Sequence, residues 1–522
     1  MKKLLTLLVA VLLVLTATVT MLSLVSCGTE PGTQGGNQGG NHGGSQGGGQ
    51  GSTEERIPLD VPDKNYETSA GKTPFNILEW TCGTQMEVSP GGWIPWEEGH
   101  VEEEDGDMLA AAVFDRNAWV EEEFGVEISK EYASMDGNPG FIQRVTTNAS
   151  TSANEFQLIT LRTLQIFTLI QEDLYFDMNE YKDTILHTDQ PWWVQDSVRS
   201  FTLGSHLYVA ATEMLLRDKG ATATLYFNQT LAKDYEELPN FFELVDNMEW
   251  TFEQMEIACE LVAHSADGDD EMNSSRDVWG CIGGDDSVYY LFNSFGYKFA
   301  HIDNFGYMEY DFGSQDSIKT MQDVFLDFMY ADDYFFNVGL KKDLLEDGQN
   351  MFNEGNVLFN SSLVKGSAGL RTMEELYGIL PHPMLNEDQD NYSSLVWVHH
   401  DSSVGIPAHV DDPEMCAIIL EALSWESYYS VYPTFYETIL LNRAAKDEDS
   451  KRMFQVIFQT RSYDPGQYYD TGSNASGLHG GSGLLRLTGT GNADIAGLWA
   501  GFRDAVAANV DKVNAWISGN EG

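Results

Sequence analysis

The sequence predicts an α/β protein whose globular part divides into two lobes. Segments with the alternating pattern of β-strands and segments with the 3.6-residue periodicity of amphipathic helices succeed one another along the chain. Apolar residues make up 42% of the chain and aromatic residues 12%, which is enough for a large core. The globular part, residues 57–522, exceeds the roughly 250–300 residues at which a single core stops growing, so we expect two lobes.

The first βαβ unit is predicted near the start of the globular part. Residues 75–80 (FNILEW) have the pattern of a short strand, and residues 126–132 alternate as a second one. Between them, residues 109–124 form an amphipathic helix, and Gly125 stands where a left-handed cap is wanted. This order is the beginning of a parallel sheet. Further strand candidates are residues 156–161 and 207–211.

Three later helices are indicated by their N-terminal residues. Residues 251–254 (Thr-Phe-Glu-Gln) form a capping box, Asp316 heads a second helix, and Asp412 followed by Pro413 begins a third. In each helix the apolar residues that follow share one face. Short strands are predicted at residues 357–359, 377–380 and 403–406.

The first residues have the pattern of an export signal. Lys2 and Lys3 precede an apolar run over residues 4–22, which closes in Leu-Val-Ser before Cys27. This ending resembles the lipobox of bacterial lipoproteins, in which the cysteine thiolate accepts the lipid. We therefore expect residues 1–26 to be a lipoprotein signal peptide and Cys27 to be lipidated. The alternative, an uncleaved transmembrane helix over the same run, leaves the position of Cys27 unexplained.

The segment after Cys27 predicts a flexible tether. Residues 28–52 are almost entirely Gly, Gln, Asn, Ser and Thr, so they cannot bury enough surface to offset the entropy of ordering. A phosphate-binding glycine loop does not fit, because no strand precedes the segment and no Lys-Ser or Lys-Thr closes it. Residues 27–56 would thus anchor the globular part to the extracellular face of the cell membrane.

The charge of the chain is strongly acidic. It has 81 Asp and Glu residues against 29 Lys and Arg residues, a formal net charge of −52 at pH 7. This balance argues against nucleic acid as a partner and against peripheral binding to anionic lipid. It fits an extracellular surface and does not identify a ligand.

The cysteines other than Cys27 show no metal-ligand spacing. Cys259 and Cys416 lie on apolar faces of predicted helices, where we expect them as buried thiols. A disulfide between Cys259 and Cys281 is the alternative in an exported protein.

Two other segments raise the question of a metal. Residues 267–273 carry alternating acidic side chains, as a calcium loop does, but Met272 and Val278 stand where that loop needs Gly and Glu. A solvated acidic turn is therefore the expectation. His399 and His400 are adjacent, and neighbouring side chains of a strand point to opposite sides, so they cannot easily share an ion. We expect neither metal nor cofactor.

Seven short segments between residues 75 and 464 form a series. They are NILEW near the start, RNAWVEEEFGVEI at 116–128, YFNQTL at 226–231, MEWTFEQM at 248–255, FNEGNVLF at 352–359, YGILPHP at 377–383 and VGIPAHVDDPEMCAIILEAL at 404–423. In this order they resemble the family 1 extracellular solute-binding proteins of ABC importers, particularly the sugar-binding lipoproteins.

This resemblance implies a two-lobed, periplasmic-binding-protein-like fold of type II. Each lobe would be a mainly parallel sheet flanked by helices, with the ligand in the cleft between the lobes. Lobe one would take residues 75–205 and about 400–442, and lobe two residues 206–399 and 443–522. The resemblance also implies a monomer that captures a carbohydrate, of oligosaccharide size, and delivers it to the permease subunits of an ABC transporter.

Sugars present hydroxyl edges and apolar faces, so their sites combine aromatic rings with polar side chains. In the first half of the chain, residues of these types at or after predicted strand ends are Trp80, Thr84, Trp93, Trp96, Thr212 and Glu213. For the tryptophans, capping of the hydrophobic core is an equal alternative.

The second half of the chain supplies four further candidates. Asp286 follows Asp285 before a helical stretch and could meet hydroxyl groups there, although N-capping is the interpretation that we favour. Trp397 and Asp401 precede the strand at 403–406, as a stacking platform and a hydroxyl acceptor. Asp464 is a weaker candidate near the C-terminus.

The sequence favours a binding protein over an enzyme. Among 81 acidic residues, carboxylate pairs of the kind that glycoside hydrolases use carry no information. The chain has no G-x-S-x-G, no HExxH and no P-loop lysine. A binding lipoprotein for peptides or another solute is the closer alternative, and a surface glycoside hydrolase is the more distant one.

Overall fold

A computed structural model describes most of the globular part of the chain. The described residues are 56–81, 108–134, 140–269, 271–322, 327–344, 350–370, 373–441, 448–469 and 494–520. Within these ranges, Ile57 onward belongs to one compact unit. None of the helices described is both long and apolar enough to cross a membrane.

The strands are short and occur along the whole described chain. They are β1 (Thr73–Thr81), β2 (Val126–Ser134), β3 (Leu158–Leu161), β4 (Thr202–Leu203), β5 (His206–Leu207), β6 (Ala223–Asn228), β7 (Trp279–Gly283), β8 (Ala300–Ile302), β9 (Met308–Tyr310), β10 (Phe335–Asn337), β11 (Val357–Leu363), β12 (Tyr377–Leu380), β13 (Ser394–Leu395), β14 (Ser403–Gly405) and β15 (Arg461–Ser462).

The helices lie mostly between the strands, and those described range from 3 to 26 residues in length. They are α1 (Met108–Phe124), α2 (Gly140–Thr151), α3 (Ile166–Gln171), α4 (Gln195–Phe201), α5 (Arg217–Gly220), α6 (Gln229–Ala232), α7 (Phe241–Asp246), α8 (Phe252–Val262), α9 (Ser287–Ser294), α10 (Gln315–Thr320), α11 (Asp327–Met329), α12 (Pro413–Tyr429), α13 (Val431–Leu441), α14 (Glu448–Gln459), α15 (Pro465–Tyr468) and α16 (Ile495–Asn520).

Lobe one is built on a four-stranded sheet with the order β14-β3-β1-β2. Strand β1 pairs in parallel with both β2 and β3, whereas β14 is antiparallel to β3. The β1 side chains Phe75, Ile77 and Leu78 are fully buried, as expected for a central strand. Helix α1 connects β1 to β2, and Gly125 ends it with a φ of 68°, a left-handed conformation that favours glycine. The predicted βαβ unit and its cap are confirmed.

Lobe two is built on a five-stranded sheet with the order β10-β7-β11-β6-β12. Strands β10, β7 and β11 are parallel, and β6 runs antiparallel between β11 and β12. Every residue of β6 is buried, and the hydroxyl of its polar residue Thr224 donates to Leu380 O at 3.1 Å. The α/β class is confirmed in both lobes, although this second sheet is mixed rather than mainly parallel.

One segment connects the two sheets directly beside their edges. We call residues 396–402 the crossing segment. At its start, Val396 donates its backbone N–H to Ser462 O at 2.9 Å, and Trp397 donates to Ala221 O at 2.9 Å, next to β6 of lobe two. At its end it continues into β14 of lobe one. The crossing segment is therefore held by backbone hydrogen bonds in one lobe and by a sheet in the other.

The predicted helix starts have different outcomes. Asp412 caps α12 and Pro413 occupies its first turn, as predicted. The capping box at α8 is wrong: Thr251 is the N-cap residue, but within the described chain its side chain makes no cap hydrogen bond. Asp316 does not head α10 either, because Ser314, two residues earlier, caps that helix and Asp316 lies inside it. For α8 and α10, the pattern of apolar residues predicted the helix correctly, whereas the pattern of capping residues did not.

The predicted strands differ mainly in length. β12 spans the predicted residues 377–380, and β11 extends the predicted 357–359 as far as Leu363. The strand predicted at 207–211 is wrong beyond Leu207, because the residues after it make single bridges, such as that between Ala210 and Val404, instead of a ladder.

The cysteines of the described residues are buried free thiols. Cys259, Cys281 and Cys416 all carry free thiols, so the alternative of a Cys259–Cys281 disulfide is wrong. Burial raises the pKa of the Cys259 thiol well above its ordinary value. The predicted signal peptide, Cys27 and residues 28–52 lie outside the described residues, and the predicted lobe boundaries stay a prediction.

Candidate functional site

The carboxyl edge of the lobe-one sheet brings together side chains from three strand ends. Trp80 lies near the end of β1, Arg162 and Thr163 follow β3, and Asp401 and Ser402 lead into the antiparallel β14. Loops at the carboxyl ends of parallel strands are the usual ligand position in open α/β sheets. Together with Arg217, which joins them from α5, we call these residues the Trp80 edge.

Trp80 is the centre of this edge. Its side chain is 2% exposed, and its indole N–H donates to Ser402 Oγ at 2.9 Å. Two guanidinium groups lie on its ring: Arg217 is 4.9 Å and Arg162 is 5.7 Å from the ring centroid, within the range of cation–π attraction. Arg217 also donates to the Trp80 carbonyl oxygen at 2.7 Å. The tryptophan thus holds two cations at the edge, and its ring packs beneath them.

Asp401 organises the loop that carries Arg162. The carboxylate is fully buried and accepts hydrogen bonds from the Thr163 backbone N–H, at 3.1 Å, and from the Thr163 hydroxyl. Burial raises its pKa well above the ordinary value; the Thr163 hydrogen bonds and the Arg162 charge lower it, but by less. Asp401 therefore fixes the turn after β3, and its burial disfavours the charged form of the carboxyl.

Trp397 connects the crossing segment to lobe two. Its side chain is 2% exposed, and its ring packs against Tyr289 and Tyr290 of α9 with centroid distances of 4.7 and 5.9 Å. These geometries are tilted and edge-to-face, as aromatic pairs prefer. Stacking of Trp397 on a ligand stays a prediction; in this structure its neighbours are protein rings.

The start of α9 supplies the polar groups of lobe two. Asp285 and Asp286 are partly exposed there, and their charges, after burial, raise the pKa of Tyr290. Asp286 occupies the N-cap position, but its side chain does not make the cap hydrogen bond, so the N-capping interpretation is wrong. The Ser287 hydroxyl is buried and has no hydrogen-bond partner among the described residues.

His400 lies near the end of the crossing segment. Burial, and to a smaller extent the charges of Lys365, His399 and Arg162, lower the pKa of His400 to about 2. His400 is therefore neutral at physiological pH.

Three of the predicted site residues belong instead to the inner structure. Glu213 is 4% exposed and pairs with Arg461 at 2.7 Å and Lys219 at 2.8 Å. Asp218 accepts from the same Arg461 at 2.7 Å. Burial alone would raise the pKa of Glu213, but the two cations outweigh it and lower the pKa. We call Glu213, Asp218, Lys219 and Arg461 the buried ion network.

Thr212 and Asp464 are the other two predicted site residues that lie in the interior, and their side chains bind backbone groups. The Thr212 hydroxyl is fully buried and accepts from the Met214 backbone N–H at 3.2 Å. Asp464 is 1% exposed and accepts from the backbone N–H groups of Phe299 and Gly466 at 2.9 and 3.0 Å, so that it caps α15. Neither side chain meets the Trp80 edge in these contacts.

Thr84, Trp93 and Trp96 lie outside the described residues, and their predicted roles stay predictions. Metal binding by His399 and His400 finds no support, because no group of acidic, histidine and cysteine side chains among the described residues could hold an ion.

Sequence reasoning missed the two arginines of the Trp80 edge. Arg162 could have been found, because it directly follows a predicted strand, at the carboxyl end where cleft residues are expected. Arg217 carried no such signal, since it lies far from Trp80 in the sequence and approaches it only through the tertiary fold.

Comparisons with known proteins identify the fold. No protein-family profile matches the chain, and no curated protein matches it. Among solved structures, it is similar to a cyclo/maltodextrin-binding protein complexed with maltotetraose (TM-score 0.53, 13% identity, 85% of this chain and 99% of the other). It is also similar to UspC of M. tuberculosis (TM-score 0.52, 12% identity, 84% and 100%).

A third similar structure belongs to a named protein family. It is an extracellular solute-binding protein of family 1 from Alicyclobacillus acidocaldarius, with a TM-score of 0.51 and 9% identity over 85% of this chain and 100% of the other. At these identities the likeness concerns the fold. The chain has the two-lobed α/β fold of the family 1 extracellular solute-binding proteins.

Proposed function

We propose that this protein is the substrate-binding component of an ABC importer and that it captures a carbohydrate between its two lobes. The observation that carries the proposal is the meeting of both sheets at the crossing segment. Trp397 contacts α9, which follows β7 of lobe two, while Asp401 and Ser402 bind Thr163 and Trp80 of lobe one. A ligand held there would contact both lobes and stabilise their closure.

The chemistry of this place suits a saccharide. Partly exposed Arg162, Arg217, Asp285 and Asp286 offer charged donors and acceptors to the hydroxyl groups of a sugar. The rings of Trp80, Trp397 and the α9 tyrosines are buried next to these groups. The similar structure with maltotetraose is a binding protein of the same fold, which supports a carbohydrate and a non-catalytic role. A peptide would need more exposed strand edges for backbone pairing.

A thermal-shift screen of the globular part against oligosaccharides and peptides tests this function. A ligand present at about a hundred times its dissociation constant adds about 2.7 kcal/mol to the free energy of unfolding, which is readily seen as a higher melting temperature. We expect shifts with oligosaccharides. Shifts with peptides and none with glycans would overturn the carbohydrate assignment, and shortened glycan after the incubation would overturn the non-catalytic one.

We further propose that Cys27 is lipidated and holds the protein at the outer face of the cell membrane, within reach of its permease. The lipobox-like ending before Cys27 and the glycine-rich segment after it support this. In cells that process lipoproteins, the unchanged chain should fractionate with membranes, and Cys27→Ala should be released or keep its signal. Equal membrane retention of a fully processed Cys27→Ala protein would contradict the anchor.

A further inference from the structure

Two cationic side chains from distant parts of the chain lie on one tryptophan ring beside the crossing segment. Arg162 and Arg217 are 5.7 and 4.9 Å from the Trp80 ring centroid. We call Arg162 and Arg217 the cation cluster. The Trp80 indole N–H donates to Ser402 of the crossing segment at 2.9 Å, so the cluster adjoins that segment.

Acidic side chains also lie around the cation cluster. Glu79 is buried and lies 3.9 Å from Arg217. Asp401 is buried, and its raised pKa favours the neutral carboxyl. Asp218 is already bound to Arg461 in the buried ion network. On the lobe-two side, Asp285 and Asp286 stand at the start of α9 near Tyr290.

Two neighbouring arginines are unexpected in a chain with so few basic residues. Acidic residues outnumber basic ones by 81 to 29, so two arginines on one tryptophan ring are an unusual pairing in this chain. Arginine is the side chain best suited to a planar anion, because its fork of N–H groups matches a carboxylate or sulfate with two parallel hydrogen bonds. The partly buried setting strengthens such bonds, since less water screens them.

We propose that the carbohydrate is acidic: a saccharide whose carboxylate or sulfate group is bound by Arg162 and Arg217 at the Trp80 edge. This inference rests on the proposed carbohydrate-binding function and narrows its substrate class. Trp80 positions both guanidinium groups through its ring and its carbonyl oxygen.

A paired screen of oligosaccharides separates acidic from neutral ligands. The probes are uronic-acid oligosaccharides from pectin, alginate and glucuronoxylan, the same mixtures after chemical reduction of their carboxyl groups to alcohols, and sulfated galactan oligosaccharides. We expect a melting-temperature shift with at least one acidic mixture and its loss on reduction, or a shift with the sulfated arm, which identifies sulfate as the anion. Equal shifts before and after reduction, with none from the sulfated arm, would overturn the acidic ligand and leave the carbohydrate function intact. No shift with any glycan would overturn both.

Variants test whether the cation cluster is responsible. For the ligand found in the screen, Arg162→Gln and Arg217→Gln should each raise Kd about tenfold or more, as expected on loss of a charge-assisted hydrogen bond. Arg162→Lys keeps the charge and should recover part of the affinity. Arg503→Gln removes the same charge from an exposed side chain on α16 and is the matched control, with Kd unchanged.

The melting temperature of each ligand-free variant distinguishes binding from folding. Arg217→Gln removes the hydrogen bond to the Trp80 carbonyl oxygen and can lower the melting temperature for that reason. In that case the test of the proposal uses only Arg162→Gln and Arg162→Lys. An Arg162→Gln protein that keeps its melting temperature and its Kd would overturn the proposal. The same protein with unchanged binding of a neutral saccharide and weakened binding of the acidic one would establish it.

Discussion

The buried ion network and the Trp80 edge both combine arginine with carboxylates, but they do so in opposite ways. In the network, the side chains of Arg461, Glu213 and Lys219 are at most 6% exposed and pair at 2.7–2.8 Å. At the edge, Arg217 is 12% exposed, and its Glu79 partner is 3.9 Å away. A charge that is enclosed and closely paired supports the fold, whereas Arg217 is less enclosed and less closely paired, as the anion-binding role that we propose for it requires.

The largest expected effect comes from breaking the buried ion network. Arg461→Met would leave Glu213 and Asp218 buried with Lys219 as their remaining cation in the network, at a cost of about 3–5 kcal/mol in the free energy of unfolding. Urea unfolding followed by circular dichroism measures it. Arg503→Met, at an exposed position, is the control and should change the value by less than about 0.5 kcal/mol. A comparable, small loss at both positions would mean that the network does not support the fold.

Glu421 sharpens the comparison, because this fully buried carboxylate is held by neutral donors. The indole N–H groups of Trp192 and Trp193 bind its two oxygens at 2.8 and 2.9 Å. Burial nevertheless raises its pKa from 4.5 to about 7. Since the folded pKa exceeds the unfolded one, the stabilisation is complete below pH 4.5 and is lost as the pH rises through 7.

We therefore expect the wild-type protein to lose up to about 3 kcal/mol relative to Glu421→Gln between acidic pH and slightly above neutral pH. Urea unfolding at a series of pH values measures the difference between the two profiles. Glu437→Gln, at an exposed position of α13, should leave the profile parallel to that of the wild type. Parallel profiles for Glu421→Gln as well would show that the carboxylate titrates normally.

The smallest effect is expected at the Trp80 edge. Trp80→Phe keeps an aromatic ring under the arginines but removes the N–H that binds Ser402, at a cost of about 1 kcal/mol in the free energy of unfolding. Ser402→Ala should cost a similar amount, and the double variant should cost less than the two together. Strict additivity would show that the two side chains do not act as a pair. Ligand affinity should fall more than stability if the edge is the binding site.

The sequence predicted the elements of this fold better than it predicted the site. The βαβ unit, Gly125 and the start of α12 at Asp412 were found because periodicity and capping act over a few neighbouring residues. Thr251 was misjudged for the same reason: the pattern of a capping box was present, but the tertiary structure did not use it. Local sequence signals predict where a helix or strand lies. They do not predict which hydrogen bonds its side chains make in the tertiary structure.

The site depends on contacts that a local pattern cannot show. Trp80 and Asp401 were placed correctly at a sheet edge, because strand ends can be inferred from sequence. That Arg217 would lie on the Trp80 ring, or that Glu213 would be enclosed by Arg461, depends on residues far apart in the chain. The sequence therefore identified polar side chains at strand ends. It did not show which of them are enclosed in the fold and which are exposed.

The crossing segment also sets a limit on size. Between Trp397, bonded to lobe two, and Ser403, at the start of the lobe-one strand, six steps of extended chain reach about 20 Å at most. At this place the lobes cannot separate further without breaking backbone hydrogen bonds, however wide they open elsewhere. The crossing segment therefore limits how far the two sheets can move apart beside it, and any wider opening of the lobes has to be a rotation about this place.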